Sequence, residues 1–421
     1  MSRRWGGNWR RIPKSPHCPN VFTVVNAAEY NAFATSGGFI YIMRGMLPFF
    51  NNEAEFAATL GHEMGHITAR HVAKDTVFFR ELNISWCEVK EVIALARQGG
   101  GAEDHPKYQE AVTYLRYSRE AEHEADARGL RYMTAAGYDP AAMVEFEQNS
   151  IAHSALINRM AGLPEGEENV FHITLTHLRS LDRLRTIARA SDETGNSKRR
   201  LGRERYLAAL DGMVFGEAPE FGLVRGDQYL NPLLRFAMTV PRRWRHVFRR
   251  TPRFYARNDI FLEFGVLHGM VSSLKETIRN LAGSRSVEVS AIAPGGLEGA
   301  VAVTVVEAAV DQAMEVMRVA VRIAPEAVLI LHMRCPVQFV SDYRRVFRDT
   351  AMSVRVLSET EVAALQPLRV RVVTVKPGES ARRLAAMMPF GDFNGEMFAV
   401  LNGLPPGESL QTGAKVKVLA V

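Results

Sequence analysis

Residues 52–73 read NEAEFAATLGHEMGHITARHVA, and this stretch determines the fold expected for the first part of the chain. Asn52 is a suitable N-cap residue, and Glu55 follows three positions later, which is the capping-box pattern at a helix start. Apolar residues then recur at helical spacing, at Phe56, Leu60, Met64 and Ile67. The sequence therefore predicts a long helix over 52–73.

The same stretch contains the pattern His62-Glu63-Met64-Gly65-His66, or HExxH. Histidines at positions i and i+4 share one face of a helix, so both imidazoles can reach one ion. Zinc suits two imidazoles, one carboxylate and a water molecule, and Glu63 stands where it can hold and deprotonate that water. The alternative is a pair of ordinary helix histidines. A third ligand in the sequence would favour the metal site over this alternative.

A third ligand has to come from elsewhere in the sequence. A metzincin needs glycine and histidine where this chain has Ala69 and Val72, and His71 is out of register. A gluzincin uses a glutamate on another helix, commonly with an aspartate one turn later that fixes a histidine ligand. Glu122 has Asp126 at i+4 and fits this pattern. No aspartate stands at i+4 of the competing glutamates Glu81, Glu88, Glu91, Glu120 and Glu124.

Three units are expected along the 421-residue chain. The first, 20–192, is predicted to be mainly helical with a small sheet, and a polar, charged linker follows at 191–203. The second, 206–366, is typical of an α+β domain and carries no visible functional motif. The third, 368–421, is predicted to have a strand at each end and two short helices between them. The fold class is thus α+β, with the chemistry in the first unit.

Local patterns predict the elements within these units. In the first unit we expect strands at 21–25 and 39–43, and further helices at 77–97, 108–136, 141–160 and 178–192. In the second unit we expect strands at 236–240, 260–264, 287–292, 300–306 and 327–332, and helices near 307–322 and 337–349.

Composition narrows the class of protein. Apolar residues make up 47% and charged residues 23%, which is typical of a soluble globular chain and excludes a disordered one. The odd number of widely spaced cysteines, Cys18, Cys87 and Cys335, excludes a zinc ribbon and a disulfide framework. No apolar run is long enough for a transmembrane helix, and the basic N-terminus as written lacks the apolar run of a secretory signal.

Positive charge does not indicate a nucleic-acid partner. The net charge of +6 comes from 52 basic and 46 acidic residues, a mild excess on a chain of this size. Residues 242–257, RRWRHVFRRTPRFYAR, interleave arginines with aromatic residues, as a phosphate-binding surface would. A strand–turn–strand segment with solvated arginines accounts for them equally simply, and nothing else matches a nucleic-acid module. We therefore expect no nucleic-acid partner.

Over about 20–190 the chain resembles peptidase family M48, because five motifs occur in the order found there. These motifs are Asn31-Ala32-Phe33-Ala34 with Gly37-Gly38, His62–His66, Tyr117-Ser118-Arg119, Glu122–Asp126 and Gly137-Tyr138-Asp139-Pro140. The resemblance implies a mainly helical gluzincin fold with one Zn²⁺ on His62, His66 and Glu122. It also implies Glu63 as general base and Asp126 as support for a histidine ligand.

The absence of predicted membrane spans favours the soluble, BepA-like type within this family. The resemblance then implies a zinc endopeptidase that acts on unfolded or misassembled polypeptides in the bacterial periplasm or cell envelope. In that type a later motif places an arginine six residues after a histidine, as His177 and Arg183 stand here, although Leu178 replaces its proline. By resemblance, His177 lies over the zinc and Arg183 contacts a substrate carbonyl or the oxyanion. The alternative for His177 is a surface histidine at a helix start.

The residues Asn31, Ala32 and Phe33 are the expected substrate strand. A protease holds its substrate extended, and a sheet edge supplies main-chain hydrogen bonds to such a strand. The run 39–43, FIYIM, is the candidate edge, and an ordinary core strand is the alternative.

The C-terminal unit, 368–421, resembles a LysM-like module. The motifs that carry this resemblance are Val373–Ser380, Leu384-Ala385, Val400–Leu404 and Gln411–Val418. The resemblance implies a βααβ fold with a groove for N-acetylglucosamine glycans such as peptidoglycan, and docking against the peptidase is the alternative. Two other functions stay open, a chaperone-like zinc protein with a capped active site and a peptidoglycan-binding envelope protein.

Overall fold

The computed structural model describes residues 21–86, 88–89, 92–93, 102–160, 181–193, 199–241, 244–247, 252–256, 259–283, 286–307, 313–405 and 409–421. The chain forms two compact units, one of Met1–Gly216 with Leu368–Val421 and one of Glu217–Pro367. Residues 368–421, predicted as a separate third unit, therefore share a compact unit with the N-terminal part.

In the first unit the described strands are β1 (Val21–Val25), β2 (Ala32–Ala34) and β3 (Phe39–Met43). The described helices are α1 (Glu53–Thr68), α2 (His71–Glu81), α3 (Tyr108–Ala135), α4 (Ala141–Met160), α5 (Leu181–Glu193) and α6 (Arg203–Leu210). The strands and the last three helices predicted before residue 193 are thus confirmed, with small shifts at their ends. The helix predicted at 77–97 overlaps only the end of α2, and part of that range lies outside the described residues.

The helix α1 begins where the sequence predicts it and ends earlier. The Asn52 side chain accepts a hydrogen bond from the Glu55 backbone N–H, with 2.8 Å between oxygen and nitrogen. Arg70 has a φ of 60°, in the left-handed region, so the helix does not continue to residue 73 as predicted. The chain turns at this point and starts α2 at His71, which comes back into contact with His66.

Glycines allow α1 and α3 to pack with their backbones in close contact. A Cβ atom on Gly65 would lie 2.6 Å from the carbonyl oxygen of Ala125, and one on Gly61 would lie 2.8 Å from that of Gly129. Side chains at these positions would force the helices apart. The close approach places the Glu122–Asp126 turn of α3 directly against the histidines of α1.

The small sheet has the strand order β1-β3-β2, with β1 parallel and β2 antiparallel to β3. Strand β3 is therefore the central strand, and the prediction that 39–43 forms the edge is wrong. Its apolar side chains pack in the core instead, since Ile40 and Ile42 are buried. The edge beside α1 is β2, which pairs only with β3 among the described residues.

The second unit is built mainly from antiparallel sheets. Its described strands are β4 (Leu223–Arg225), β5 (Gln228–Asn231), β6 (Phe236–Thr239), β7 (Arg245–Val247), β8 (Arg253–Tyr255), β9 (Phe261–His268), β10 (Ser290–Ile292), β11 (Gly299–Glu307), β12 (Ala313–Ala324), β13 (Ala327–Pro336) and β14 (Arg355–Val356). Its described helices are α7 (Leu274–Ala282), α8 (Val340–Met352) and α9 (Glu359–Ala364). One sheet has the order β10-β11-β12-β13-β9-β8-β7, and a smaller one has the order β14-β6-β5-β4.

The helix predicted near 307–322 is wrong, because the strand β12 occupies this region. It pairs along its length with β11 on one side and β13 on the other. The Ala- and Met-rich composition favours a helix locally, but two flanking strands and burial on both faces favour the strand. The helix predicted near 337–349 is confirmed by α8. In the arginine-rich stretch, β7 and β8 pair antiparallel, in line with the strand–turn–strand interpretation.

The C-terminal part completes the first unit with β15 (Arg369–Thr374), α10 (Ala381–Ala385), α11 (Asn394–Asn402) and β16 (Lys415–Ala420). The predicted order of strand, two helices and strand is confirmed, and β15 pairs antiparallel with β16. Phe398, Leu401 and Leu419 belong to the same hydrophobic core as Phe50 and Leu60 of the N-terminal part. This shared core explains why 368–421 is not a unit of its own.

A buried lysine ties β16 to the helical part. The Nζ atom of Lys417 donates hydrogen bonds to the backbone carbonyls of Pro48 and Phe50, at 2.7 Å each. The Lys417 side chain is fully buried, and the Asn402 side chain bonds its backbone N–H. These contacts fix β16 just before the start of α1.

Candidate metal centre

Three side chains from α1 and α3 direct their ligand atoms to one place. His62 Nε2 lies 3.1 Å from His66 Nε2. The Glu122 carboxylate reaches both imidazoles, with Oε2 3.5 Å from His62 Nε2 and Oε1 3.3 Å from His66 Nε2. All three residues are buried. The structure therefore brings together the three residues predicted as metal ligands.

The spacing of these atoms fits a metal ion between them. Two ligand atoms about 2.0–2.1 Å from a tetrahedral ion lie roughly 3.4 Å from each other. The separations of 3.1, 3.3 and 3.5 Å between the three side chains lie around that value. A His-His-Glu set also leaves a fourth tetrahedral position open. The triad can therefore bind a metal ion.

Asp126 holds the first histidine of the triad, as the sequence predicts. Its Oδ1 atom lies 2.8 Å from His62 Nδ1, which leaves His62 Nε2 directed at the other ligand atoms. A histidine that donates one ring N–H to a carboxylate has a fixed tautomer and ring orientation. Asp126 is thus placed one helical turn after Glu122 and serves the same centre.

Arg183 of α5 joins the two carboxylates of α3. Its Nε and Nη2 atoms lie 2.8 Å from the two oxygens of Asp126, and its Nη1 atom lies 3.0 Å from Glu122 Oε2. Burial alone would raise the pKa of Asp126, but the charge of Arg183 and the hydrogen bond with His62 hold it below its usual range. Arg183 thus contacts the carboxylates of the centre, and the substrate contact that the sequence predicts for it stays a prediction.

Histidine 71 is the partner of the second ligand. Its Nδ1 atom lies 3.0 Å from His66 Nδ1, and its Nε2 atom lies 3.1 Å from Glu124 Oε2. Glu124 in turn bonds Arg128 at 2.7 Å. Burial lowers the pKa of His71 more than Glu124 raises it, which favours a neutral ring. His71, whose position in the sequence does not fit a metal ligand, therefore contacts the ligand His66 from outside the triad.

The residue Glu63 faces a cavity that adjoins the centre. The cavity has an empty volume of about 470 Å³ and is lined by Ala32, Met46, Ala58, Thr59, His62, Glu63, Asp126, Met143, Phe146, Glu147, Arg183 and Ile187. Glu63 is only 2% exposed. A substrate and an attacking water in this cavity would therefore lie beside the Glu63 carboxylate.

The predicted substrate strand lies at this cavity. Ala32 of β2 is one of its lining residues, and Asn31 and Phe33 flank Ala32 at the edge of the sheet. His177 lies outside the described residues. Its predicted position over the zinc therefore stays a prediction.

Sequence reasoning missed two residues of the site, His71 and Glu147. The spacing of His71, five residues after His66, indicates no contact in a continuous helix, and only the left-handed Arg70 creates it. Glu147 is one of two acidic residues in α4, with Glu145, and no local pattern marks it as the buried one.

A mainly helical fold with HExxH on one helix and a glutamate on another is typical of a metallopeptidase domain. Residues 11–191 match the family model described as Peptidase family M48. The sequence resemblance to family M48 is thereby confirmed.

Over about a third of its length the chain is similar to curated proteases. The chain is 29% identical over 152 residues to the "Beta-barrel assembly-enhancing protease" of Yersinia pestis, covering 34% of this chain and 31% of that protein. It is 33% identical over 149 residues to the "Mitochondrial metalloendopeptidase OMA1" of Arabidopsis thaliana, covering 34% and 29%. For the Escherichia coli "Beta-barrel assembly-enhancing protease" the identity is 29% over 133 residues, covering 30% and 27%. The matches thus span about 30% of the length of these relatives.

Among the described residues, no helix is both long and apolar enough to cross a bilayer.

Proposed function

We propose that this chain is a zinc-dependent endopeptidase that hydrolyses peptide bonds of unfolded or misassembled polypeptides. The observation that carries the proposal is the spacing of His62, His66 and Glu122, whose ligand atoms all lie within 4.8 Å of one another beside the cavity that Glu63 faces. The match of residues 11–191 to the model of family M48 supports the same reaction class.

Each residue has a definite part in this mechanism. His62, His66 and Glu122 would hold the zinc, which would supply Lewis-acid chemistry at the scissile carbonyl and a water whose pKa is lowered toward about 7. Glu63 accepts the proton of the attacking water and passes it to the leaving amine. Asp126 and Arg183 keep His62 and Glu122 in place. The edge of β2 at Ala32 pairs with the extended substrate through main-chain hydrogen bonds.

The variant Glu63→Gln tests the mechanism. It removes the proton acceptor but leaves the three ligands, so we expect zinc at one ion per chain and loss of casein and peptide cleavage. The matched control is Glu81→Gln, the same change at the exposed end of α2. Undiminished cleavage by the Glu63→Gln variant would exclude this mechanism.

The biological setting is part of the proposal. Two of the relatives above are called beta-barrel assembly-enhancing proteases, which supports a role in quality control of envelope proteins. Accumulation of misassembled outer-membrane proteins in cells that carry only the Glu63→Gln variant would support this role. Unchanged envelope proteins in such cells would argue against it.

The two alternatives gain no support from the described residues. A capped, chaperone-like centre depends on His177, which lies outside them. A peptidoglycan-binding protein depends on 368–421, whose Phe398 and Leu401 are buried in the core shared with the peptidase part. Zinc endopeptidase activity is therefore the function we propose.

A further inference from the structure

The residue Glu147 is a buried acid for which the proposed mechanism has no use. It lies on α4 and is 7% exposed, and it lines the same cavity as Glu63 and His62. Its Oε1 atom is buried and has no hydrogen-bond partner among the residues that the structure describes. An unsatisfied buried carboxylate oxygen is unfavourable in a native structure, and such groups commonly have a functional reason.

The walls around this carboxylate are apolar. The side chains that line the cavity with it include Met46, Ala58, Met143, Phe146 and Ile187. The cavity is open to solvent, and its empty volume of about 470 Å³ includes part of that solvent. The cavity therefore combines apolar side chains that can contact a methylene stem with the acidic group of Glu147.

Negative charge exceeds positive charge among the described side chains beside the centre. Four carboxylates are present there, on Glu63, Glu122, Asp126 and Glu147, against the guanidinium of Arg183. Arg183 makes ion pairs with Glu122 and Asp126, at 3.0 and 2.8 Å, and its charge also interacts with Glu147. A divalent ion on the triad would still leave one negative charge. One cationic group of a substrate would therefore balance the charge of the cavity.

We propose that Glu147 is a specificity-determining residue, which selects a lysine or arginine side chain of the substrate beside the scissile bond. Such a side chain matches both properties of the cavity, because its methylene groups contact apolar walls while its charged end meets a carboxylate. An α-ammonium group offers the same charge without the methylene stem. This inference rests on the proposed endopeptidase function.

The experiment compares peptides that differ at one position. Fluorogenic peptides carry Lys, Arg, norleucine or Glu at each position flanking the cleaved bond, and the full-length, zinc-loaded protein is assayed for kcat/KM. At one position we expect Lys and Arg to be preferred over norleucine by about tenfold or more, the typical contribution of a charge-assisted hydrogen bond. In the Glu147→Gln variant this preference falls to about onefold, because kcat/KM falls more for Lys and Arg peptides than for norleucine peptides.

A matched control is available on the same helix. Glu145→Gln makes the identical change two residues away, at an exposed position, and leaves the preference intact. Equal kcat/KM for Lys and norleucine at every position of the wild-type protein would overturn the inference. A preference that persists in the Glu147→Gln variant would also overturn it.

A binding measurement separates this inference from the proposed function. Labelled Lys and norleucine peptides are titrated with the zinc-loaded Glu63→Gln variant, and fluorescence anisotropy gives Kd without turnover. Tighter binding of the Lys peptide, lost in the Glu63→Gln/Glu147→Gln double variant, supports the pocket even if no wild-type cleavage is found. Equal binding refutes the pocket even if cleavage is found.

Acetylation of the peptide N-terminus distinguishes a cationic side chain from the α-ammonium group as the bound cation. Peptides with free and acetylated N-termini are compared in the same assay. Unchanged kcat/KM supports recognition of a side chain, because the α-ammonium is then not needed. Loss of cleavage on acetylation would identify the α-ammonium as the group bound and overturn the assignment.

Discussion

The Nδ1 atoms of His66 and His71 lie 3.0 Å apart, so the second histidine of the HExxH pattern has its own hydrogen-bond partner. His71 Nε2 in turn lies 3.1 Å from Glu124 Oε2. The first histidine has a comparable partner, since His62 Nδ1 lies 2.8 Å from Asp126 Oδ1. A metal ion on His66 Nε2 would leave the ring proton on Nδ1, which would then donate to His71. Both histidine ligands are thus oriented by a group outside the triad.

We expect His71→Phe to weaken zinc binding by about 10- to 100-fold, the usual cost of losing such an outer partner. The measurement is a competition between the protein and a chelating dye of known zinc affinity. His71→Asn should retain most of the affinity, since its amide oxygen can accept the same hydrogen bond. The exposed His268→Phe change, in the second unit, provides the control. Unchanged affinity in His71→Phe would show that His71 does not orient His66.

The residue Arg183 is expected to be more important to the metal-free protein than to the zinc form. Arg183→Met leaves the buried carboxylates of Glu122 and Asp126 without their cation, and we expect a loss of about 3–5 kcal/mol in the free energy of unfolding. Saturating zinc should reduce that loss, because the ion supplies positive charge to Glu122.

The test compares denaturant unfolding in EDTA and in zinc, with Arg185→Met as the exposed control on the same helix. Equal stability of Arg183→Met and wild type in EDTA, combined with a fall in kcat, would favour the sequence-based prediction of a substrate contact.

Local sequence signals predicted the centre because its parts lie within single helices. The cap at Asn52, the i,i+4 spacing of the histidines and the i,i+4 pair Glu122 and Asp126 are short-range patterns that the structure preserves. The backbone approach at Gly65 is of another kind, because nothing near residue 65 shows which helix it will contact.

Long-range contacts account for the predictions that failed. Strand β12 has a helical composition and becomes a strand because β11 and β13 pair with it. Lys417 in β16 has the pattern of a solvent-facing strand residue, yet it is fully buried against Pro48 and Phe50, about 370 residues away. No local property of a lysine indicates such a burial. Similarly, the orphan oxygen of Glu147 results from tertiary packing alone.

The helix contact at Gly65 predicts a coupling between packing and metal binding. In Gly65→Ala the new Cβ would lie 2.6 Å from the Ala125 carbonyl oxygen, which is backbone and cannot rotate away. We expect α3 to shift, with a loss of about 1–3 kcal/mol in stability and weaker zinc binding. Gly395→Ala is the control, because that helical glycine has nothing within 4 Å of its Cβ position. Full zinc affinity in Gly65→Ala would show that the helix spacing does not set the ligand geometry.

The buried pair of Glu55 and Lys417 predicts the pH dependence of stability. Burial raises the pKa of Glu55 from 4.5 to about 7 and lowers the pKa of Lys417 from 10.5 to about 7. Between pH 4.5 and 7 the folded state holds a proton on Glu55 that the unfolded state has lost, so the contribution of Glu55 to stability falls as pH rises. Between pH 7 and 10.5 the unfolded state holds a proton on Lys417 that the folded state lacks, so stability rises with pH.

We therefore expect this pair to give a minimum of stability near pH 7. The measurement is the melting temperature between pH 5 and 10, compared between the wild type and its variants. Lys417→Met should lose the rise above pH 7. It should also extend the fall attributed to Glu55 to higher pH, because the lysine charge that lowers the pKa of Glu55 is gone. Lys415→Met, on the same strand but partly exposed beside Glu204, should keep the wild-type profile. Parallel profiles for Lys417→Met and wild type would show that neither group titrates in the folded protein within this range.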